Sequence, residues 1–139
     1  MPRYRRFVLP VLFLALCVSL SACKRSPILE VEEVPLDAPA GASLAQVGEA
    51  IKRAGSAVGW RVSELDSGDL RAAFGSAGDK HSAVVIIRYS AASFSIEHSS
   101  SINLNYSIER SITYIHPTYN TWVSRLKDRI LLEVSRLAP

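Results

Sequence analysis

The first 22 residues limit most strongly what this chain can fold into, because they have the pattern of a segment that is removed during export. Only the residues after them are then left to form the folded protein. Three arginines, Arg3, Arg5 and Arg6, precede an apolar run over residues 7–20. This run is too short to span a bilayer comfortably, and Pro10 interrupts it, so a signal peptide is favoured over a membrane helix. The remaining 117 residues are enough for one small domain and too few for two.

A cysteine follows the apolar run directly. The residues Leu20-Ser21-Ala22-Cys23 resemble the bacterial lipobox, an aliphatic residue and two small residues before a cysteine. The resemblance implies that Cys23 carries a diacylglycerol on its thiol and an acyl chain on its amino group, which together anchor firmly in a bilayer. Lys24 rather than aspartate comes next, which is similar to outer-membrane sorting signals. We therefore expect a signal peptide over residues 1–22 and a lipid-anchored envelope protein that faces the periplasm, with the outer membrane favoured.

Removal of the signal peptide changes the charge of the chain. The full sequence has 16 basic and 13 acidic residues, and three of the basic residues lie before residue 7. The rest is formally neutral, which argues against nucleic acid as a partner. The two cysteines are Cys17, inside the signal peptide, and Cys23. The folded part therefore has neither a disulfide nor a free thiol nucleophile.

Residues 23–42 are expected to form the lipidated cysteine and an extended tether that lifts the domain off the membrane. Proline blocks helix interiors, and clustered acids repel one another. Within this range lie Pro27, Pro35, Pro39, Glu30, Glu32, Glu33 and Asp37. Residues 28–31 are apolar enough to add an edge strand.

Residues 43–139 are expected to form a single α+β domain. Ser43 and Gln46 match a capping box for a first helix over residues 44–58. Pro117 suits the first turn of a second helix over residues 117–137, which carries one apolar stripe. Alternating and β-branched patterns predict four strands, over residues 60–65, 70–74, 82–89 and 94–98. Residues 99–106 are predicted to be loop, and residues 107–115 are either one more strand or an ordered loop.

These elements predict a two-layer α+β fold, an antiparallel meander of about four strands with both helices on one face. The expected core combines one face of the sheet with the apolar stripes of the helices. Its members are Val47, Ile51, Trp60, Val62, Phe74, Val85, Ile87, Phe94, Ile96, Trp122, Leu126 and Ile130.

Three short motifs stand between the middle of the chain and its last helix. They are Gly59-Trp60, Asn103-x-Asn105-Tyr106 and Tyr119-Asn120-x-Trp122-Val123-x-x-Leu126. With the lipobox, their order resembles a group of small proteobacterial lipoproteins of unknown function. The resemblance covers most of the chain after Cys23. It implies an envelope location and implies no catalytic residue.

No catalytic or metal-binding pattern stands out, and no cofactor is expected. If Tyr89 lies opposite Phe94, the same register puts His98 opposite Val85 and leaves His81 four residues further along. These two histidines then cannot share a metal ion, and His116 is better placed as a helix-entry residue. The nucleophile motif Gly-x-Ser-x-Gly is absent. The sequence thus favours a protein that is not an enzyme.

A second group of residues combines aromatic rings with amides, which suits contact with a saccharide or a peptide. The members are Asn103, Asn105, Tyr106, Tyr114, His116 and Asn120. The competing interpretation is that these asparagines make turns, since asparagine readily bonds its own backbone. Val84 and Ile86, on the outer face of the sheet, would form a further surface if nothing covers them. The leading hypothesis is a scaffolding or protein-interaction module with an envelope protein partner, and the alternative is a module that binds a small ligand or glycan.

Overall fold

The computed structural model describes residues 24–76 and 78–138. Residues 1–22, which are expected to be a signal peptide, and Cys23 lie outside the described residues. The described chain contains two helices, α1 (Leu44–Ala57) and α2 (Pro117–Ser135). Its strands are β1 (Ser26–Pro27), β2 (Val31–Pro35), β3 (Trp60–Glu64), β4 (Leu70–Phe74), β5 (Ser82–Tyr89), β6 (Ser93–Ile102), β7 (Ser107–Glu109) and β8 (Ile112–Ile115).

The α+β class is confirmed, but the strands form two antiparallel sheets rather than one. The large sheet has the order β2-β6-β5-β4-β3, and the small sheet has the order β1-β8-β7. The four strands of the predicted meander are neighbours in the large sheet. The predicted register is also confirmed, because Tyr89 lies opposite Phe94 and Val85 lies opposite His98.

Local sequence signals explain where both helices begin. The Ser43 hydroxyl accepts a hydrogen bond from the Gln46 amide, and the Gln46 side chain accepts one from the Ser43 amide, which completes the capping box. Pro117 opens α2 directly after His116, whose side chain accepts a bond from the Thr118 amide. In the first turn of each helix, a backbone N–H group is therefore satisfied by a side chain close by in sequence.

One face of the large sheet forms the main core with α1 and α2. Gly48 and Gly55 lie seven residues apart on α1, and a methyl group at either would clash with Tyr89 or Val62 of the sheet. Trp122 of α2 stacks on Phe74 with ring centroids 4.3 Å apart. Of the expected core, nine residues are buried, while Val62, Phe74 and Trp122 are half-buried and pack against it.

Residues 23–42 were expected to form the lipidated cysteine and an extended tether, with a possible edge strand at residues 28–31, and the structure shows strands in this segment from residue 26 onward. Ser26 pairs with Ile115 in the small sheet, and Val31 pairs with Ile96 in the large sheet. Val31 is only 2% exposed. The backbone is extended, as the prolines and acids indicate, but it is bound into the fold.

Two further expectations about the middle of the chain are resolved. Residues 99–102 were expected to be loop, yet they continue β6, because their backbone pairs with β5 at Ser82–Val84. Backbone pairing tolerates serines that carry no apolar pattern. Residues 107–115, left open between strand and loop, form the β7–β8 hairpin. Its turn residues Arg110 and Ser111 both have positive φ, at 50° and 66°.

Candidate functional site

The six residues proposed for binding lie around the small sheet, but most are engaged by the fold itself. Asn103 has a φ of 56°, and its amide donates to the Lys80 carbonyl at 2.6 Å. Asn105 has a φ of 52°. Asparagine adopts the left-handed region more readily than most residues. The turn interpretation of these two asparagines therefore fits the structure better than ligand contact.

Asn120 fastens the N-terminal segment to α2. Its Oδ1 accepts from the Leu29 amide at 2.8 Å. Its Nδ2 donates to the Pro27 carbonyl at 2.9 Å and to the Ser26 hydroxyl at 3.0 Å. Both donor hydrogens and one acceptor site are thus occupied. We name Asn120 the clamp residue.

The two proposed tyrosines have different surroundings. Tyr106 is 45% exposed, and its ring stacks almost parallel on His98, with centroids 4.5 Å apart. Tyr114 is half-buried, and the Arg25 guanidinium carbon lies 5.3 Å from its ring centroid. A cation over a ring is attracted by the charge distribution of the ring. Tyr106 is the more available of the two for contact with another molecule.

The three histidines do not converge on one point. The rings of His81 and His116 lie nearly parallel, with centroids 6.3 Å apart. His116 Nδ1 accepts from Thr118, and His81 Nδ1 lies 3.0 Å from the Asn103 carbonyl oxygen. His98 lies between Tyr106 and Tyr119 instead. In residues 24–76 and 78–138, no group of three or more histidine, cysteine, aspartate or glutamate residues is placed to hold a metal ion.

Burial shifts two titratable groups near the small sheet. It lowers the pKa of His98, so the neutral imidazole is favoured there. It raises the pKa of Tyr119 far above its usual value, which keeps that phenol protonated. Elsewhere, hydrogen bonds from the Ser76 amide and hydroxyl lower the pKa of Asp79. These shifts follow from packing and turn formation, and none of them pairs a nucleophile with a base.

A cleft of about 870 Å³ lies between the N-terminal segment, the β7–β8 hairpin and α2. Its lining includes Ile28, Ile112, Asn120, Ser124 and Arg125. Asn120 is already bonded, so Ser124 and Arg125 are the polar side chains of α2 with capacity for a ligand. From the sequence, the charged face of this helix that carries Arg125 is a candidate surface with solvation as the favoured interpretation, and Ser124 does not stand out.

A second groove, of about 510 Å³, runs beside the end of β2. Its lining includes Val31, Ile96, His98, Tyr106 and Thr113. Strand β2 pairs with β6 only through residues 93–96. Among the described residues, none pairs as a strand with residues 97–102 of β6 on the side away from β5. Backbone groups on that side of β6 therefore face this groove or solvent.

The outer face of the large sheet is not a continuous apolar surface. Val84 and Ile86 are half-buried rather than exposed. Beside them, Arg88 forms ion pairs with Glu97 and, at 3.8 Å, with Asp69. Charged side chains thus interrupt the apolar patch considered from the sequence.

Comparisons with known proteins assign neither a family nor a function to these residues. No helix within the described ranges has the length and apolar character needed to cross a bilayer. No protein-family model, no curated protein and no solved structure matches the chain.

Proposed function

We propose that this chain is a lipid-anchored bacterial envelope lipoprotein whose domain binds another envelope protein and carries out no reaction itself. The lipobox over residues 20–23 supports the anchor, and Lys24 supports a place on the outer membrane facing the periplasm. This agrees with the resemblance to small proteobacterial lipoproteins. The open edge of β6 supports protein binding and is the observation that carries the proposal.

Both edge strands of the large sheet carry charged side chains that discourage strand pairing, whereas the open part of β6 has no such charge and only a register shift at Ser99. Edge strand β2 has Glu32, Glu33 and Pro35 and a register shift after Val31. Edge strand β3 is five residues long and includes Arg61 and Glu64. Charges, prolines, bulges and short length are the usual protections of an edge. The open part of β6 after Glu97 reads His-Ser-Ser-Ser-Ile, without proline or a permanent charge.

The groove beside this edge gives an added strand a place to lie. His98 and Tyr106 form one wall and present a stacked pair of rings. Ile96 and Val31 are apolar and line the same groove. A peptide that adds to a sheet edge gains affinity from main-chain bonds and specificity from alternate side chains. The proposed partner is therefore an extended segment with an aromatic or aliphatic side chain at alternate positions.

Photo-crosslinking in living cells tests the proposal. A benzophenone amino acid replaces Ser99, which lies at the register shift in β6 and is exposed. The matched control carries it at Ser63, an exposed residue of edge strand β3. We expect one envelope protein to be crosslinked from position 99 and not from position 63. Equal products from both positions, or none from position 99, would contradict strand addition at this edge.

The alternative is a module that binds a small ligand or glycan, and the cleft of about 870 Å³ favours it. Pockets for small molecules have volumes of roughly 300–1,000 Å³. In this alternative Ser124 and Arg125 contact the ligand, rather than the asparagines suggested by the sequence. A glycan panel measured by thermal shift tests it. Binding that Ser124→Trp abolishes would support the alternative and shift the function away from protein interaction.

A further inference from the structure

The small sheet turns one face toward the core and the other away from it. Ile115, opposite Ser26, is fully buried, and the Ser26 hydroxyl accepts from Asn120. Neighbouring residues of a strand point to opposite faces. Pro27 and its partner Tyr114 therefore point outward, and so does Ile112, two residues from Tyr114. We call this outward surface the small-sheet outer face.

The small-sheet outer face is apolar and basic. Ile112 is 46% exposed on it, and Pro27 is exposed beside it. Arg25 lies across Tyr114 and forms an ion pair with Glu109, which neutralises the acid of that hairpin. Lys24 and Arg110 are exposed nearby in the chain and hairpin, and neither forms an ion pair among the described residues.

The chain leaves only a short connection between this face and the proposed lipid. Ser26 is already paired in β1, and Cys23 precedes it by three residues. Three extended residues span about 10 Å. Arg25, two residues after Cys23, contacts the outer face itself. A lipid on Cys23 therefore emerges at this face, with no spacer long enough to hold the domain away from the bilayer.

We infer that the small-sheet outer face lies on the phospholipid surface, with Ile112 and Tyr114 in the interfacial region and Lys24 and Arg110 at lipid phosphates. This inference rests on the proposed lipidation of Cys23. Aliphatic and tyrosine side chains beside basic residues are the composition of surfaces that lie in the bilayer interface. The domain then has a fixed face toward the membrane, rather than rotating freely at the end of a tether.

Site-specific fluorescence in vesicles tests the inference. Cys17 leaves with the signal peptide and Cys23 is acylated, so an introduced cysteine is the only free thiol of the mature lipoprotein. Ile112→Cys is labelled with an environment-sensitive dye, and Ser63→Cys on β3 is the matched control. Each lipoprotein is reconstituted into vesicles of phosphatidylethanolamine and phosphatidylglycerol that contain lipids spin-labelled near the headgroup.

We expect the dye at 112 to shift to the blue and lose most of its fluorescence, while the dye at 63 does neither. Circular dichroism melts of the labelled chains verify that each is folded. Folded, vesicle-bound protein with equal emission at both positions would overturn the inference and leave the anchor intact. A dye at 112 that is shielded from iodide in water but not quenched by the spin-labelled lipid would also overturn it, and would assign the face to a protein surface.

Failure of the lipidation proposal has a different signature. If Cys23 carries no lipid, the chain without an introduced cysteine takes up the dye and stays out of the vesicle fraction on flotation. That result would remove the basis of the inference and overturn it with the anchor. The two proposals are therefore separable in one set of samples.

Discussion

The large and the small sheet of this domain are stabilised by different kinds of interaction. The large sheet buries one face against α1 and α2, and Ile87 of the sheet and Leu126 and Ile130 of α2 are fully buried. The small sheet has short strands and is held through side-chain bonds to a distant backbone, above all from Asn120. Apolar burial tolerates many sequences, whereas the small sheet depends on a few specific polar contacts. The contrast predicts that mutations act globally in one region and locally in the other.

The largest effect is expected from a cavity in the core under the large sheet. Leu126→Ala removes a fully buried side chain and should lower the free energy of unfolding by about 2–5 kcal/mol. Leu132→Ala, on the same helix and 39% exposed, is the control and should change it by less than about 0.5 kcal/mol. Chemical denaturation measures both variants. Similar losses in both would show that burial does not distinguish the two positions.

The next effect is expected at the clamp residue. Asn120→Ala removes three hydrogen bonds, each worth about 0.5–1.5 kcal/mol, while alanine returns less than about 0.7 kcal/mol in helix propensity. Hydrogen exchange of the Leu29 amide should become faster, while amides of β5 keep their protection.

The neighbouring residue provides the control for the clamp. Thr121→Ala leaves the N-terminal segment untouched, because the Thr121 hydroxyl bonds only to Pro117 within α2. It should not change exchange at Leu29. If Asn120→Ala increases exchange equally in both sheets, the two regions unfold together and the contrast between them fails.

A smaller change, in the stabilising direction, is expected at the β7–β8 turn. Arg110 and Ser111 both occupy the left-handed region, which costs a non-glycine residue roughly 1–2 kcal/mol. Asparagine followed by glycine suits this turn. Arg110→Asn with Ser111→Gly should therefore raise the free energy of unfolding by about 1–2 kcal/mol in a denaturant titration.

Glycine in another hairpin loop is the matched control for the turn. Ala91 lies in the loop between β5 and β6 and does not have positive φ. Ala91→Gly should lower the stability by up to about 1 kcal/mol, since glycine gains entropy in the unfolded chain. Equal stabilisation by both substitutions would argue against relief of backbone strain at residues 110 and 111.

The smallest effect is expected from pH at the junction of the sheets. Burial lowers the pKa of His98 in the folded state, so the unfolded chain takes up the proton first as the pH falls. Stability should therefore decrease as the pH falls below about 6.5, the ordinary histidine value, toward the lower folded value. His98→Asn should melt with less dependence on pH between about 7.5 and 5.5. The other two histidines remain in both chains, so an unchanged slope would exclude His98 as the cause.

The large sheet and both helices follow from sequence because their signals are local. The Ser43 capping box, Pro117 and the alternation around Val85 each act within a few residues. Even the β5–β6 register followed from matching apolar faces at Tyr89 and Phe94. The predicted fold class depended on these signals alone.

The small sheet and the pairing of the N-terminal segment could not be predicted from the sequence, because the contacts that form them join residues distant in sequence. The bond between Leu29 and Asn120 joins residues 91 positions apart, and neither residue type indicates the other. Prolines and acids gave the extended conformation of residues 24–42 but carry no information about a partner strand. The structure places the candidate binding residues around one region, where Asn103, Asn105 and Asn120 serve its architecture.

The pairing of Ser26 with Ile115 also has a consequence for the order of folding. This contact joins nearly opposite ends of the described chain, and the entropy of closing a long loop opposes it until other contacts have formed. The β3–β6 hairpins and α1 need only nearby partners and can form earlier. The N-terminal strand therefore docks last, after α2 has brought Asn120 into position. If Cys23 is lipidated as proposed, the last folding step brings the strand that carries Ile115 back to the residues beside the anchor.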